Sequence, residues 1–241
     1  MTKTFPCLEF GNMNLSVFFP AYNEEANLKA TVNKAQRVLN ELNLEYEIII
    51  VDDGSRDNTG EIAEQLSKQD KRVRAIHHPQ NRGYGGAIKS GLYAARYDWI
   101  AFTDADGQYN FSEITNFLNL TDRADLIIGY RKKRADSPIR KINAQLFNWE
   151  MFFLFGLKAK DVDCGFKLIK KKVVDTIKPL QSEGAMIEAE LLIRAKKAGF
   201  KFIQIPVTHL PRKVGKQTGA DLKVIFKGAV VEPLKLWKTL R

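Results

Sequence analysis

Short runs of β-branched and aromatic residues alternate along this chain with longer stretches whose apolar positions recur every three or four residues. Residues 15–19, 46–51, 73–77, 99–103 and 126–128 predict strands, because near-continuous apolar runs of that length suit strands covered on both faces. Residues 27–42, 59–68, 87–95 and 112–120 lie between them and predict helices. Strand and helix in strict alternation predict an α/β fold with a mostly parallel sheet and helices on both faces. In such sheets ligands bind beyond the carboxyl ends of the strands, so the residues just after each run are where chemistry is expected.

After Tyr130 the rhythm breaks into a basic loop, RKKRADSPIRK, and an apolar helical stretch over 142–155. A strand over 166–169, a helix over 185–198 and a strand over 202–205 follow, and then the polar loop PRKVGKQTG. The last segment sets Leu222, Ile225, Phe226, Ala229, Leu236, Trp237 and Leu240 at helical spacing, with Lys223, Lys227, Lys235, Lys238 and Arg241 on other faces. That pattern fits either a membrane surface or a terminal helix packed on the domain, and Pro233 is expected to kink or split it. The resulting division is one domain over 1–221 and an amphipathic helical segment over 222–241.

Composition narrows the partners. The 241 residues are 44% hydrophobic, enough for a sizeable core, and the formal net charge of +10 favours anionic partners: nucleotide phosphates, lipid phosphates, an acidic bilayer face or nucleic acid. A merely solvated basic surface is the alternative. Cys7 and Cys164 make neither a disulfide framework nor a zinc spacing, which favours a reducing compartment. The start lacks a basic-then-apolar signal pattern, and no run approaches the roughly 18 apolar residues of a spanning helix. A cytoplasmic protein whose membrane contact is peripheral is expected.

Each predicted strand end carries polar residues. The first is followed by Pro20-Ala-Tyr22-Asn-Glu24-Glu25, an aromatic ring on which a base can stack beside carboxylates that can accept from a ribose; the same glutamates can instead complement a helix N-terminus. The second runs into Asp52-Asp53-Gly54-Ser55, adjacent carboxylates that folding does not require, while Asn58 with Glu61 reads as a local helix cap. The third is followed by Asn81-Arg82-Gly83-Tyr84-Gly85-Gly86, a glycine-rich turn with backbone amides free to face an anion. It matches neither the dinucleotide fingerprint nor a P-loop, because Ile88 stands where the third glycine belongs and Ile88-Lys89-Ser90 replaces Gly-Lys. After the fourth come Asp104-Ala-Asp106-Gly107-Gln108, two carboxylates and an amide oxygen able to ligate Mg²⁺ or Mn²⁺ beside a diphosphate. A plain polar turn accounts for Asp106-Gly107 but not for Asp104.

Taken in order, PAYNEE, VDDGSRDNT, NRGYGGAIKSG, DADGQ, DCGFKLIKK and HLPRKVGKQTG resemble the family 2 glycosyltransferases of the GT-A fold, in the branch of the dolichyl-phosphate mannose synthases and polyprenyl-phosphate glycosyltransferases. The resemblance spans about residues 15–222. It implies that Pro20, Tyr22, Glu24 and Asp52 hold the nucleoside, with Asp53 and Gly83 in the same substrate-binding set. It implies that Asp104 and Asp106 address the metal with help from Gln108, that Arg131 and Arg140 handle phosphate near the acceptor, and that Arg212 and Lys216 close over the diphosphate. The implied partners are a GDP- or UDP-linked sugar donor, a polyprenyl phosphate acceptor, the membrane surface and a small membrane-anchoring protein, with no nucleic acid. The chain departs from the mannose synthase pattern at Gly107-Gln108-Tyr109-Asn110, so GDP-mannose and UDP-glucose types of donor both stay open.

The reaction so implied is a single displacement with inversion at the anomeric carbon. An alkyl phosphate has a second pKa of about 6 and is already largely dianionic at neutral pH, so its oxygen needs no general base. A hydroxyl acceptor on a saccharide or glycolipid would need one, which Glu188 or Glu190 in EGAMIEAELL can supply; at least one of the two is expected on a solvated helix position. The cluster Arg131, Lys132, Lys133, Arg134, Arg140 and Lys141 complements a phosphate head group. Trp149, Phe152, Phe153 and Phe155 beside it suit either an isoprenoid tail or bilayer edge, or a buried core helix. His77, His78 and His209 have no metal spacing and take no role. The rivals are a sugar-phosphate nucleotidyltransferase and a basic nucleic-acid-binding module; the second leaves the carboxylates at the strand ends without purpose.

Overall fold

A computed structural model describes residues 13–132, 138–212 and 231–239. The chain runs β1 (Asn14–Ala21), α1 (Leu28–Glu41), β2 (Glu45–Asp52), α2 (Thr59–Gln69), β3 (Val73–His77), α3 (Tyr84–Ala94), β4 (Trp99–Phe102), a 3₁₀ turn (Phe111–Glu113), α4 (Ile114–Leu118) and β5 (Leu126–Arg131). It continues with α5 (Pro138–Phe155), β6 (Lys167–Lys170), α6 (Lys171–Ile177), α7 (Met186–Lys197), β7 (Phe202–Val207) and α8 (Glu232–Thr239). The strands form one seven-stranded sheet in the order β3-β2-β1-β4-β6-β5-β7. All neighbours pair parallel except β6, which is antiparallel to both β4 and β5. This is the mostly parallel α/β arrangement that the sequence rhythm predicts.

Two features of this topology make the site. From β1 the chain steps outward to β2 and β3, then crosses back to place β4 on the other side of β1, so the strand order reverses between β1 and β4. Because β6 runs backwards, with Lys167 opposite Phe102, the loop entering β6 emerges on the same edge as the loop leaving β4.

Alternation along the strands builds a core on each face. Leu15, Val17 and Phe19 of β1 with Ile48 and Ile50 of β2 join Phe111, Phe117 and Phe166 on one side. Phe18, Ile49, Val51 and Phe102 join α3, α6 and α7 on the other. Phe18 stacks on Phe102 with ring centroids 4.9 Å apart. Each such fully buried ring contributes roughly 1.5–3 kcal/mol. Gly91 lets α3 approach this pair: a Cβ there would lie 2.2 Å from the Phe18 ring.

Several boundaries differ from the sequence reading for local reasons. Tyr84, Gly85 and Gly86 form the first turn of α3 rather than a loop, the reversal before them falling on Gly83 with φ +80°. The predicted helix over 112–120 divides into the 3₁₀ turn and the short α4. The seven-residue α6, too short to show a period, buries Val173, Val174 and Ile177. In α5, Ala144 and Met151 are buried and Phe147 and Phe155 pack on the core, whereas Ile142, Leu146, Trp149, Phe152 and Phe153 are exposed, so this helix is both a core element and an apolar surface. Pro233 lies in the first turn of α8, where proline is tolerated, and Leu236 is buried in the second core, so α8 packs on the domain. The boundary expected at 221–222 and the apolar positions from 222 to 229 lie outside the described residues. Among the described residues, no helix is long and apolar enough to cross a membrane.

Candidate active site

The site gathers at the reversal of strand order. Phe18 pairs with Phe102, so the residues leaving β4 stand level with the end of β1, and Ala21, Asp52 and His77 stand level across β1, β2 and β3. Half-buried Asp104 accepts a contact from the Tyr84 hydroxyl at 3.2 Å. On its other side Gly165 approaches so closely that a Cβ there would lie 2.6 Å from Asp104 Oδ2. Burial first, then the carboxylates of Asp106 and Glu188, push the Asp104 acid up to about 8. Asp106 folds back so that Oδ1 accepts the Gln108 amide at 3.0 Å, with Gly107 at φ +73° making the turn.

The late loop closes onto this tip. The Gln108 side-chain amide donates to the Leu210 carbonyl at 2.9 Å, the Leu210 amide donates to the Gln108 carbonyl at 2.7 Å, and Tyr109 bridges to His209. Arg212 is thereby carried across the site, pairing with Glu24 Oε1 and standing 3.4 Å from Asp106 Oδ2. Glu24 is held from its other side by Asn27 at 2.8 Å, while its backbone amide donates to Thr59 Oγ1 at 2.8 Å. Its acid is raised by burial, against the lowering pull of Asn27 and Arg212. The structure thus brings Glu24, Asp104, Asp106, Gln108 and Arg212 together, beside buried Pro20 and half-buried Tyr22 at the end of β1.

Other expectations are corrected by the contacts. Asp52 and Asp53 serve folding directly: Asp52 accepts from the Ser55 amide at 3.0 Å and lies 3.0 Å from His77 Nδ1, and Asp53 lies 2.6 Å from His78 Nδ1 and accepts the Arg82 amide at 2.9 Å. The two histidines, given no role from sequence, are therefore the partners of this acidic pair. Two amides of the glycine-rich segment are engaged internally, Gly83 donating to Asn81 Oδ1 at 3.1 Å and Gly85 to the Glu183 carbonyl at 2.7 Å. A Cβ on Gly83 would come within 2.8 Å of the Glu183 oxygen, so close packing accounts for this glycine. The start of α2 is capped by Asp57, which accepts from the Thr59 amide at 3.0 Å, while Asn58 turns to Glu25.

Arg131 does not present its whole guanidinium to a ligand. Its Nε and Nη2 clasp Asp161 at 2.6 and 2.7 Å, and the Nη2 also donates to the Asp163 carbonyl at 3.0 Å. The Arg140 side chain and all of Lys216 lie outside the described residues, as do Lys133 and Arg134.

Both candidate bases are buried, against the expectation of a solvated position. Glu190 accepts the amides of Gln181 and Ser182 at 2.9 and 2.7 Å and pairs with Arg194 at 2.7 Å. Glu188 accepts the Tyr84 hydroxyl at 2.6 Å through Oε1 and pairs through Oε2 with Lys167, which is fully buried. Lys167 sits inside the apolar run FKLI, and a lysine within a strand buried on both faces was the one sequence signal for this network. Asp163 has no such signal; its Oδ1 is buried without a hydrogen-bond partner, and burial pushes its acid up to about 7.

The donor set fits a hard divalent cation. Among the described residues, no three His, Cys, Asp or Glu side chains converge on one point. Two carboxylates and an amide oxygen match instead the incomplete protein shell of Mg²⁺-type sites, which are completed by water and substrate phosphate. Asp104 keeps its proton up to about 8, first because of burial and then because of the carboxylates of Asp106 and Glu188.

Comparison with known proteins agrees with this geometry. The family model of Glycosyl transferase family 2 matches residues 16–178. A dolichyl-phosphate beta-glucosyltransferase of Dictyostelium discoideum is 33% identical over 218 residues, which cover 81% of this chain and 66% of that protein, so the chain spans just under two thirds of this relative's length. A polyprenol monophosphomannose synthase of Mycolicibacterium smegmatis is 30% identical over 233 residues, 88% of this chain and 84% of that one. Among solved structures, glucosyl-3-phosphoglycerate synthase from Mycobacterium tuberculosis, in complex with Mn²⁺, UDP and glucosyl-3-phosphoglycerate, superposes with a TM-score of 0.73 at 19% identity, over 99% of this chain and 86% of that chain. With the family model covering well over half its length and the acidic pair at the expected strand tip, this chain belongs to glycosyl transferase family 2.

Proposed function

We propose that the chain transfers a hexose, with inversion, from a GDP- or UDP-linked donor to a polyprenyl phosphate, and that it does so with Mg²⁺ or Mn²⁺ held by Asp104, Asp106 and Gln108. The observation that carries this reading is the meeting of that acidic pair with Arg212 and Glu24 where the strand order reverses. The names of the two relatives, one acting on dolichyl phosphate and one on a polyprenol monophosphate, support the acceptor class. When bound, the cation supplies positive charge against the oxygens of the departing diphosphate.

The chain's own groups supply the rest. Tyr22 offers a ring for the base, Glu24 an acceptor for the ribose, and Arg212 a guanidinium aimed at the region where leaving-group charge develops. An oxygen of the acceptor phosphate bonds to the anomeric carbon as that carbon's bond to the diphosphate breaks, and the bonding electrons depart with the nucleoside diphosphate. No proton has to be removed from a dianionic phosphate, which is consistent with Glu188 and Glu190 being committed to internal partners. A hydroxyl acceptor would require freeing one of them.

A polyprenyl phosphate acceptor would bring the enzyme to a membrane surface, which we take to be the cytoplasmic face. In support, α5 shows solvent a stripe of Ile142, Leu146, Trp149 and Phe153, spaced four, three and four residues apart and 56 to 77% exposed. Trp149→Glu combined with Phe153→Glu is expected to lower the partition onto anionic vesicles by about 10²-fold or more, the loss of two buried apolar side chains; unchanged sedimentation would remove α5 from the membrane reading. The function itself is tested with sugar-labelled donor and polyprenyl phosphate. The expected product is an acid-labile glycolipid of inverted configuration that is abolished by EDTA. An acid-stable glycoside, a retained configuration or full turnover under chelation would each overturn the proposal.

A further inference from the structure

The geometry points to a closed ring of buried contacts, Asp104–Tyr84–Glu188–Lys167–loop 162–165–Asp104, through which the acceptor half of the molecule positions the carboxylate of Asp104. This inference rests on the metal reading above. Four elements contribute one member each. Tyr84 opens α3, Glu188 lies in the first turn of α7, Lys167 opens β6, and Asp104 follows β4. The Tyr84 hydroxyl lies 2.6 Å from Glu188 Oε1 and 3.2 Å from Asp104 Oδ1, so one phenol spans both carboxylates. Glu188 Oε2 pairs with Lys167. The Lys167 ammonium also donates to the carbonyls of Val162 at 3.1 Å and Cys164 at 2.5 Å, fixing the loop whose Gly165 presses on Asp104 Oδ2.

Physical reasoning assigns this ring a geometric role. A buried Lys–Glu pair loses the hydration of two ions and on balance adds little stability compared with apolar residues of the same volume. Stability alone therefore does not explain Lys167 at 0% exposure and Glu188 at 2%. What such a pair does provide is a fixed orientation, since every lone pair and proton in the ring has one place to go. The backbone ties the same elements together, the Gly85 amide of α3 donating to the Glu183 carbonyl just ahead of α7 at 2.7 Å. Asp104 at an unsupported strand tip would sample several rotamers; the Tyr84 hydroxyl at 3.2 Å and the close approach of Gly165, where a Cβ would lie 2.6 Å from Oδ2, narrow that choice. Tyr84, Glu188 and Lys167 are thus positioning residues that act through Asp104, and outer groups that orient a metal ligand strongly affect metal affinity.

The test reads Mn²⁺ binding directly, by the electron paramagnetic resonance signal of free Mn²⁺ over the whole chain with UDP or GDP present. Tyr84→Phe keeps the ring and removes the hydroxyl. The pair Glu188→Leu with Lys167→Met removes both buried charges together, keeping the interior neutral and filled while Tyr84 loses its anchor. Both are expected to weaken Mn²⁺ binding by about tenfold or more, with turnover recovering as Mn²⁺ is raised, which a merely destabilised protein would not show. Tyr93→Phe, removing a hydroxyl that accepts the Leu180 amide at 2.8 Å away from the site, is expected to bind Mn²⁺ like the wild type. If Tyr84→Phe binds Mn²⁺ as the wild type does, the ring is overturned. If it weakens binding but the double variant does not, Tyr84 acts alone and the link to the acceptor half is overturned. A wild-type chain that binds no Mn²⁺ with either nucleotide overturns the metal reading itself, and the ring with it.

Discussion

Two acidic pairs stand on either side of β1, and they are in opposite electrostatic conditions. At the tip of β2, Asp52 and Asp53 are adjacent in sequence, nearly fully buried, and each faces its own histidine from the end of β3, with backbone amides of Ser55 and Arg82 completing the set. At the tip of β4, Asp104 and Asp106 are separated by one residue, and burial first, then the carboxylates of Asp106 and Glu188, let Asp104 hold its proton up to about pH 8. The first pair is held by two histidines and two backbone amides; the second meets Arg212 through Asp106 and the Tyr84 hydroxyl through Asp104. A pair of carboxylates at a strand end therefore says little until its partners are known.

The largest test of that difference is a matched pair of truncations. Asp106→Ala should reduce turnover by about 10³-fold or more, since it removes a ligand of the group that offsets several kcal/mol of developing charge, while the fold persists because Asp106 is not in the core. Asp53→Ala should do the reverse, lowering unfolding free energy by roughly 1–3 kcal/mol through the unpaired His78 Nδ1 and Arg82 amide, with turnover per folded molecule changed much less. Kinetics alongside denaturant melts separate the two; equal stability loss in both variants would erase the distinction.

Arg212 sharpens the comparison from the side of the second pair. It joins Glu24 to Asp106, so Arg212→Ala is expected to lower kcat by about 10²-fold, the size of effect seen when a single charge-stabilising donor is removed. A rise in KM with kcat intact would instead make it a ground-state binding residue.

The half of the molecule before Tyr130 was largely legible in sequence, because a sheet covered on both faces writes its strands as unbroken apolar runs and its ligand loops as the polar residues directly after them. Asp104, Asp106, Gln108 and Glu24 could be read that way. The ring behind Asp104 could not: Glu188 lies 84 positions from Asp104 and reaches it through the hydroxyl of Tyr84. The histidine partners of Asp52 and Asp53 were hidden for a related reason, since register alone sets His77 level with Asp52. Arg131 shows the same limit, its expected ligand being preceded by Asp161 thirty positions on.

The smallest expected effect is a pH dependence that distinguishes the pairs without mutation. Asp104 holds its proton more tightly in the folded chain, at about 8, than a carboxyl with the ordinary value of 3.8, chiefly because of burial. Its contribution to stability is therefore fully present in acid and is lost as pH rises toward 8. Asp163, raised to about 7, acts in the same direction, and so does His77, whose raised basicity comes from Asp52 and Glu64 overcoming burial. The chain in EDTA should accordingly melt lower at about pH 9 than near pH 6. Mn²⁺ can replace only the proton on Asp104, because the histidine-paired carboxylates of the β2 tip already have their partners. Added Mn²⁺ should raise the melting temperature more at the higher pH, where no proton competes for Asp104, and narrow the gap without closing it. An equal rise at both pH values would mean that the acidic pair on β4 is as satisfied without a cation as the pair on β2.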